Sequence, residues 1–386
     1  MSKLKRELSL LDLVGIGISQ IIGAGAFVVT GIAAGIAGPS VILAFWIAGM
    51  VALLTALSTA ELSSIITETG SSYAYAKRAF GKFVGFLAGW MRYFDNVVSI
   101  SAVSLGFSAY LLSLLFPFLP KNFMIASSLI LILALTLPNI LGAKITTRIS
   151  SALVAIKLSA LSFLIFVGFF YLAKNFNVNN FLPFFPNGLS STLTASSLVF
   201  FAFLGFQTIA MASEEAKNPR KYVPLAILIS FLVCFLLYIG VAVVSIGSVD
   251  WRILGKVNHP LSYVAKVITN NEYASLFVSF SALAATASVA LVSIYSSSRS
   301  LFVLSRDNLI PKIFSHVNER FETPIISVTI SSLLAAAIVM TGSINFVVSL
   351  VNFGSLFNFI LTNLSLIKLK KKIRKKPTFE LPLHPL

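Results

Sequence analysis

Ten times along this chain a run of twenty or so mainly apolar residues recurs. A helix needs about that length to cross the hydrocarbon core of a bilayer, some 30 Å at 1.5 Å per residue. The runs cover about 9–36, 40–66, 84–116, 122–141, 149–173, 190–213, 222–248, 273–304, 323–341 and 344–368. Between them stand proline, glycine, asparagine or charge, as at Gly38-Pro39, Phe116-Pro117, Asn139 to Lys144, Pro183 to Gly188, Asn218-Pro219 and His259-Pro260. Only 11% of the 386 residues are charged. A water-soluble domain carries about 25% and would have too little polar surface at this level. Backbone groups in lipid must be satisfied within the segment, so the runs are expected to be helices. The first run, from Leu8 to Ala37, is too long for the apolar region of a signal peptide and is expected to be a retained helix.

The net charge of +16 would suggest nucleic acid on a soluble protein. Its distribution says otherwise. With the N-terminus placed inside the cell and ten crossings, 22 of the 29 Lys and Arg fall in cytoplasmic segments and 5 outside, while Arg92 and Lys157 lie within helices. Positive charge collects on the cytoplasmic side of membrane proteins, so this asymmetry supports both termini inside and no nucleic-acid partner. The basic tail at 369–386 is expected to meet anionic headgroups. Cys234 is alone, which excludes an intrachain disulfide, and His259, His316 and His384 are scattered with no zinc motif. No metal, cofactor or paired nucleophile and base is legible, so an intramembrane enzyme is not expected.

The first and sixth runs stand apart. The first contains Gln20-Ile21-Ile22-Gly23-Ala24-Gly25-Ala26-Phe27. Glycine lowers the cost of leaving helical geometry, and an unwound turn would aim the positive end of the next half-helix at an anion such as a carboxylate. Close packing of small residues accounts for the same spacing. The sixth contains Phe201-Ala202-Phe203-Leu204-Gly205-Phe206-Gln207, a glycine among aromatics that offers a break with lids or, alternatively, a lipid-facing phenylalanine face. Each of these runs opens one half of the chain, about 9–173 and about 190–368, and an odd number of crossings would invert the halves. Interrupted helices at matching places in inverted halves point to a secondary-transporter site.

Ionisable and polar groups inside the runs complete the candidates. Lys157 lies about two turns inside the fifth run, where an ionisable group is a functional hypothesis by default, with snorkelling as the alternative. Arg92 and Asp95 are three apart on one helical face and are expected to pair, and Asn96 could face a cavity. In the eighth run Thr286, Ser288 and Ser293 could face the same space or bond to their own helix.

These residues resemble the amino acid–polyamine–organocation superfamily of transporters along nearly the whole chain. The resemblance rests on Gly15-Ile16-Gly17 through Phe27, on Leu54 to Leu62 followed by Gly70-Ser71-Ser72-Tyr73, on Phe200 to Gln207 followed by Glu214-Glu215-Ala216-Lys217-Asn218-Pro219-Arg220, and on Ser305-Arg306-Asp307-Asn308-Leu309-Ile310-Pro311. It implies an all-α integral membrane fold with a five-plus-five inverted-repeat (LeuT-like) core and broken helices 1 and 6. It implies substrate contacts from Ile21, Ile22, Gly23, Ala24 and Gly25, from Phe201, Phe203, Leu204, Gly205 and Phe206, and from Asn96 and Ser293. Lys157 matches a lysine of proton-coupled members, with Gly17 and Ser288 as its implied neighbours. The implied function is import of amino acids across the plasma membrane by alternating access with proton symport. An exchanger or facilitator of the same fold, a polyamine carrier, or a nutrient sensor are the alternatives. The partners so implied are the amino acid, protons and membrane lipid. Two departures stand out. Gln207 replaces an acid common in the family, and the stretch Glu380 to Leu386 leads in most members into an eleventh helix, so either the sequence is shortened there or a ten-helix core is kept.

Overall fold

A computed structural model of the chain describes residues 5–23, 25–115, 118, 122–342, 344–370 and 379. Most of the expected segment Ala24 belongs to is described, but Ala24 itself and nearly all of the basic tail lie outside the described residues. The elements run α1 (Leu10–Ile21), a π-helical turn (Gly25–Val29), α2 (Thr30–Ala37), α3 (Val41–Ile65), α4 (Ser72–Phe80), α5 (Lys82–Leu115), α6 (Asn122–Leu141), α7 (Ala143–Asn175), α8 (Gly188–Phe200), α9 (Thr208–Met211), α10 (Pro219–Ser248), α11 (Trp251–Leu254), α12 (Pro260–Thr269), α13 (Glu272–Arg306), α14 (Ile325–Val339) and α15 (Ile344–Lys370). Among the described residues, the only β-pairings are isolated bridges, Leu8 with Ala216 and Asn318 with Thr323.

Seven of the helical stretches among the described residues are long and apolar enough to cross a membrane, and α1 and α14 are shorter apolar helices. The chain is a multi-pass helical membrane protein. Leu54, Ile130, Leu133, Phe166, Leu236 and Ile360 stand more than half exposed on their helices, where lipid rather than water covers them. Between the long helices run two short amphipathic ones. In α12, Leu261, Val264, Ala265 and Ile268 are buried at the i, i+3, i+4, i+7 positions of one face. In α4, Lys77 and Arg78 in the last turn sit at the favoured end of the helix dipole.

The centre of the bundle is α13, buried almost continuously from Ser281 to Ser305. Small side chains let its neighbours approach: α5, α7, α1, α6 and α14 all pack on it. Leu13, Phe27, Phe45, Ala60, Phe203, Phe231 and Tyr295 join one large apolar cluster. α1 starts on a capping box, with Ser9 Oγ accepting from Asp12 N while the Asp12 carboxylate accepts from Ser9 N. Lys144, near the start of α7, adds an ion pair to Asp12 at 2.7 Å.

The fifth expected run is longer at its start than the apolar residues suggest. Gly142, at φ +124°, ends the preceding turn, and α7 begins at Ala143. Lys157 therefore sits about 20 Å along its helix, not two turns from the end. Lys144 and Arg148 belong to the helix's first turns.

Candidate functional site

The first expected run breaks as its glycines allow. α1 stops at Ile21, and Ile22 is extended at φ −82°, ψ 92°. A helix end leaves carbonyls without amide partners, and here they point into the bundle. Lys157 Nζ donates to Ser19 O at 2.9 Å and to Ile22 O at 2.6 Å, and a third contact joins it to Ser288 Oγ at 2.8 Å. Lys157 is fully buried. Its ammonium sits at the carbonyl end of α1, where the helix dipole favours a cation.

The sixth run breaks opposite. α8 tightens into a 3₁₀ turn over Phe201–Phe203, Leu204 is extended, and Gly205 takes φ +115° before α9 begins. Tyr238 on α10 joins the two breaks, its hydroxyl lying 3.0 Å from Ile21 O and 3.1 Å from Ala202 O. The breaks touch directly at Gly205. A Cβ there would fall 2.5 Å from Gln20 Cγ and 3.0 Å from the Gln20 carbonyl. Gly205→Ala would therefore meet both a backbone conformation L-residues avoid and a collision with α1. Strain of the first kind alone costs about 1–3 kcal/mol. The expected outcome is at least a tenfold loss of uptake per correctly folded molecule, together with a lower unfolding temperature, measured on purified protein.

Between the breaks lies a cavity of about 50 Å³. Gln20, Ile21, Gly23 and Gly25 line it from the first break, and Phe201, Ala202, Leu204 and Gly205 from the second. α5 contributes Arg92, Asp95, Asn96, Ser99 and Val103, α13 contributes Val289, and α15 contributes Val351 and Ser355. Arg92 Nη1 donates to Asp95 Oδ2 at 3.1 Å and Nη2 to Thr208 Oγ1 at 2.7 Å. Ser355 Oγ donates to Asp95 at 3.0 Å. A carboxylate buried this deeply must be paired, and it is paired from two helices, by Arg92 of α5 and Ser355 of α15.

On the side of the breaks where the α9–α10 connection meets the end of α13, charge closes the structure. Glu215 is bonded by Arg299 Nη2 at 2.9 Å and Nε at 3.2 Å and by the Tyr295 hydroxyl, all fully buried. Arg306 grips Glu214 through two bonds of 2.7 and 3.0 Å. Asp307 takes Lys77 and Tyr73 of α4. Partial burial opposes the charged form of Asp307, but these two donors outweigh it and hold its carboxyl below the ordinary carboxylate range. Beyond them the backbone of Glu7 and Leu8 donates to Glu215 O at 3.0 and 2.9 Å.

A cavity held between two broken helices, with a lysine on the carbonyls of one of them, is a transporter's arrangement rather than an enzyme's. The family model described as "Amino acid permease" matches residues 8–385. The chain belongs to the amino acid permease family. The permease is 34% identical over 402 residues to a methylthioribose transporter of Bacillus subtilis, covering 99% of this chain and 85% of that one. It is 32% identical over 400 residues to the branched-chain amino acid permease BcaP of the same organism, with the same coverage. Chloroplastic cationic amino acid transporter 9 of Arabidopsis thaliana is 34% identical over 334 residues, 82% of this chain and 58% of that one.

Among the residues expected at the permease's site, Ile21, Gly23, Gly25, Asn96, Phe201, Leu204 and Gly205 line the cavity, while Ala24 lies outside the described residues. Ile22 turns its carbonyl to Lys157 instead. Phe203 is packed away in an aromatic cluster with Phe45, Phe231 and Tyr238, and Phe206 lies on Phe231 and Phe359. The aromatic ring on the cavity is therefore Phe201, because the 3₁₀ turn rotates Phe203 toward α3 and α10. Ser293 is one shell back, accepting from Gln20 Nε2 at 2.9 Å. Ser288 meets Lys157 as expected, but Gly17 faces α10, where its added Cβ would lie 2.4 Å from Ser230 Oγ. The lysine's partners on α1 are instead Ser19 and Ile22, since only the last turn has free carbonyls. Gln20, Ser99 and Ser355 also line the cavity and are not among the residues the sequence predicts for it. A glutamine inside a glycine-rich apolar run was the available signal for Gln20. Spacing along α5 predicts the Arg92–Asp95 pair but not the cavity the two share.

Proposed function

We propose that the permease imports neutral amino acids across the plasma membrane by alternating access, with uptake coupled to a proton carried on Lys157. The observation that carries this reading is the set of three oxygens around Lys157 Nζ, from Ser19, Ile22 and Ser288. An ammonium has three donors and meets three acceptors here. After loss of a proton, the amine keeps two donors for the two carbonyls and one lone pair. The Ser288 hydroxyl, now donating to Ala285 O at 2.8 Å, can turn and donate to that lone pair. Both protonation states then have full hydrogen bonding, but on proton loss the two bonds to the carbonyls of Ser19 and Ile22 lose their charge assistance. Proton loss thereby weakens the hold on the last turn of α1, beside the substrate cavity.

The rest of the cycle follows from the two breaks. The substrate carboxylate would lie against the backbone of the first break and its amino group against carbonyls of the second, under Phe201. Ten crossings arranged as two inverted sets of five, with both termini in the cytoplasm, fit the cationic loops and the placement of the breaks. The buried Glu215–Arg299 contact and its neighbours then form the inner closure, which must open to release substrate.

The test is uptake of a labelled amino acid mixture into proteoliposomes under an imposed proton gradient, beside a sodium gradient and no gradient. Accumulation that follows only the proton gradient is the expected result. Accumulation driven equally without any gradient, in exchange for internal amino acid, would assign the permease to the exchangers instead.

A further inference from the structure

Two residues that line the cavity each carry a buried polar atom without a hydrogen-bond partner among the described residues: Arg92 Nε and Gln20 Oε1. Arg92 is 4% exposed, and its other two nitrogens are committed to Asp95 and Thr208. Gln20 has spent its amide nitrogen on Ser293. Each remaining atom costs free energy while it is buried and unpaired. An unpaired donor and an unpaired acceptor thus belong to the lining of one small space, which they share with the apolar Val103, Val289 and Val351 and the polar Asn96 and Ser99.

We infer that the permease selects amino acids whose short, uncharged side chain carries a hydrogen-bonding group, a hydroxyl or an amide, which completes Arg92 Nε and Gln20 Oε1. This rests on the amino acid reading above and names the side chain that reading leaves open. Arg92 and Asp95 cancel each other in charge. A cationic side chain would meet the guanidinium, and an anionic one would meet the carboxylate, each without a free counter-charge. A hydroxyl both donates and accepts, so it can satisfy both atoms. An aliphatic side chain of the same shape leaves both unsatisfied. Sites built to hydrogen-bond a hydroxyl reject analogues that lack it far more strongly than apolar pockets reject a methylene.

L-threonine and L-valine differ by a hydroxyl in place of a methyl, which makes them the test pair. Uptake of each labelled amino acid is measured with wild-type permease in proteoliposomes, with Gln20→Leu and Arg92→Lys alongside. Arg92→Lys keeps a cation for Asp95 but has no Nε to offer. Threonine should be favoured by at least about tenfold in the wild type, and each folded variant, which removes one of the two partners, should lower that ratio. Valine transported as well as threonine by the wild type would overturn the selectivity while leaving amino acid import intact. Lysine or aspartate preferred over both would overturn it too. Entry of no labelled amino acid at all would remove both the selectivity and the reading beneath it. Should neither variant fold, the wild-type ratio alone decides.

Discussion

Lys157→Ala is expected to abolish proton-driven accumulation of amino acids, bringing it to the level of liposomes without protein. The substitution removes the group bonded at once to Ser19 O, Ile22 O and Ser288 Oγ. It also strands the buried Ile22 carbonyl, at a cost of about 1–3 kcal/mol, and leaves Ser19 O with the longer bond from Ser288 Oγ at 3.4 Å, so the unfolding temperature should fall as well. A loss of folding must be separated from a loss of coupling. Lys157→Arg serves for that, because a guanidinium keeps the cation and its donors yet does not give up its proton. The arginine variant should still bind labelled substrate in a scintillation proximity assay and still fail to accumulate it. Accumulation by Lys157→Arg at the wild-type rate would remove the lysine from the coupling step, whatever the alanine variant does.

The second large effect is expected at the buried Glu215–Arg299 pair, the contact proposed to close the inner side. Arg299→Ala leaves the Glu215 carboxylate fully buried with the Tyr295 hydroxyl as its remaining side-chain donor. Breaking a buried ion pair from one side costs about 3–5 kcal/mol, because an uncompensated charge stays behind. Removing both charges avoids that residue of charge. The double variant Glu215→Gln, Arg299→Met should therefore be markedly more stable than Arg299→Ala when unfolding is followed in detergent. If the pair also holds the permease closed on this side, the double variant should exchange amino acid across the membrane faster than wild type while accumulating less of it against a gradient. Single and double variants of equal stability would show that the pair is solvated and holds nothing closed.

Sequence alone determined the membrane class of the protein. The recurring apolar runs do so because lipid admits only segments that satisfy their own backbone over that length. The positions of the two breaks were legible in part, since Gly23, Gly25 and Gly205 sit inside otherwise apolar runs, although close helix packing accounts for such glycines equally well. Lys157 was legible, because an ionisable side chain at membrane depth needs a reason. The amphipathic α12 was readable too, from the spacing of Leu261, Val264, Ala265 and Ile268, but a search for long apolar runs passes over it.

Tertiary structure decided which atoms meet. Periodicity cannot say that the lysine finds Ser19 and Ile22 rather than Gly17, because that depends on where α1 ends and on which carbonyls its end releases. It cannot say that Phe201 faces the cavity and Phe203 does not, because a single 3₁₀ turn changes the rotation per residue from about 100° to about 120°. Nor can it assign Arg92 and Asp95 more than each other as partners. Thr208 and Ser355, which complete their bonding, lie 116 and 260 residues away in sequence from the members of that pair they touch. Spacing along one helix carries local geometry, and the cavity is made of contacts between helices far apart in the chain.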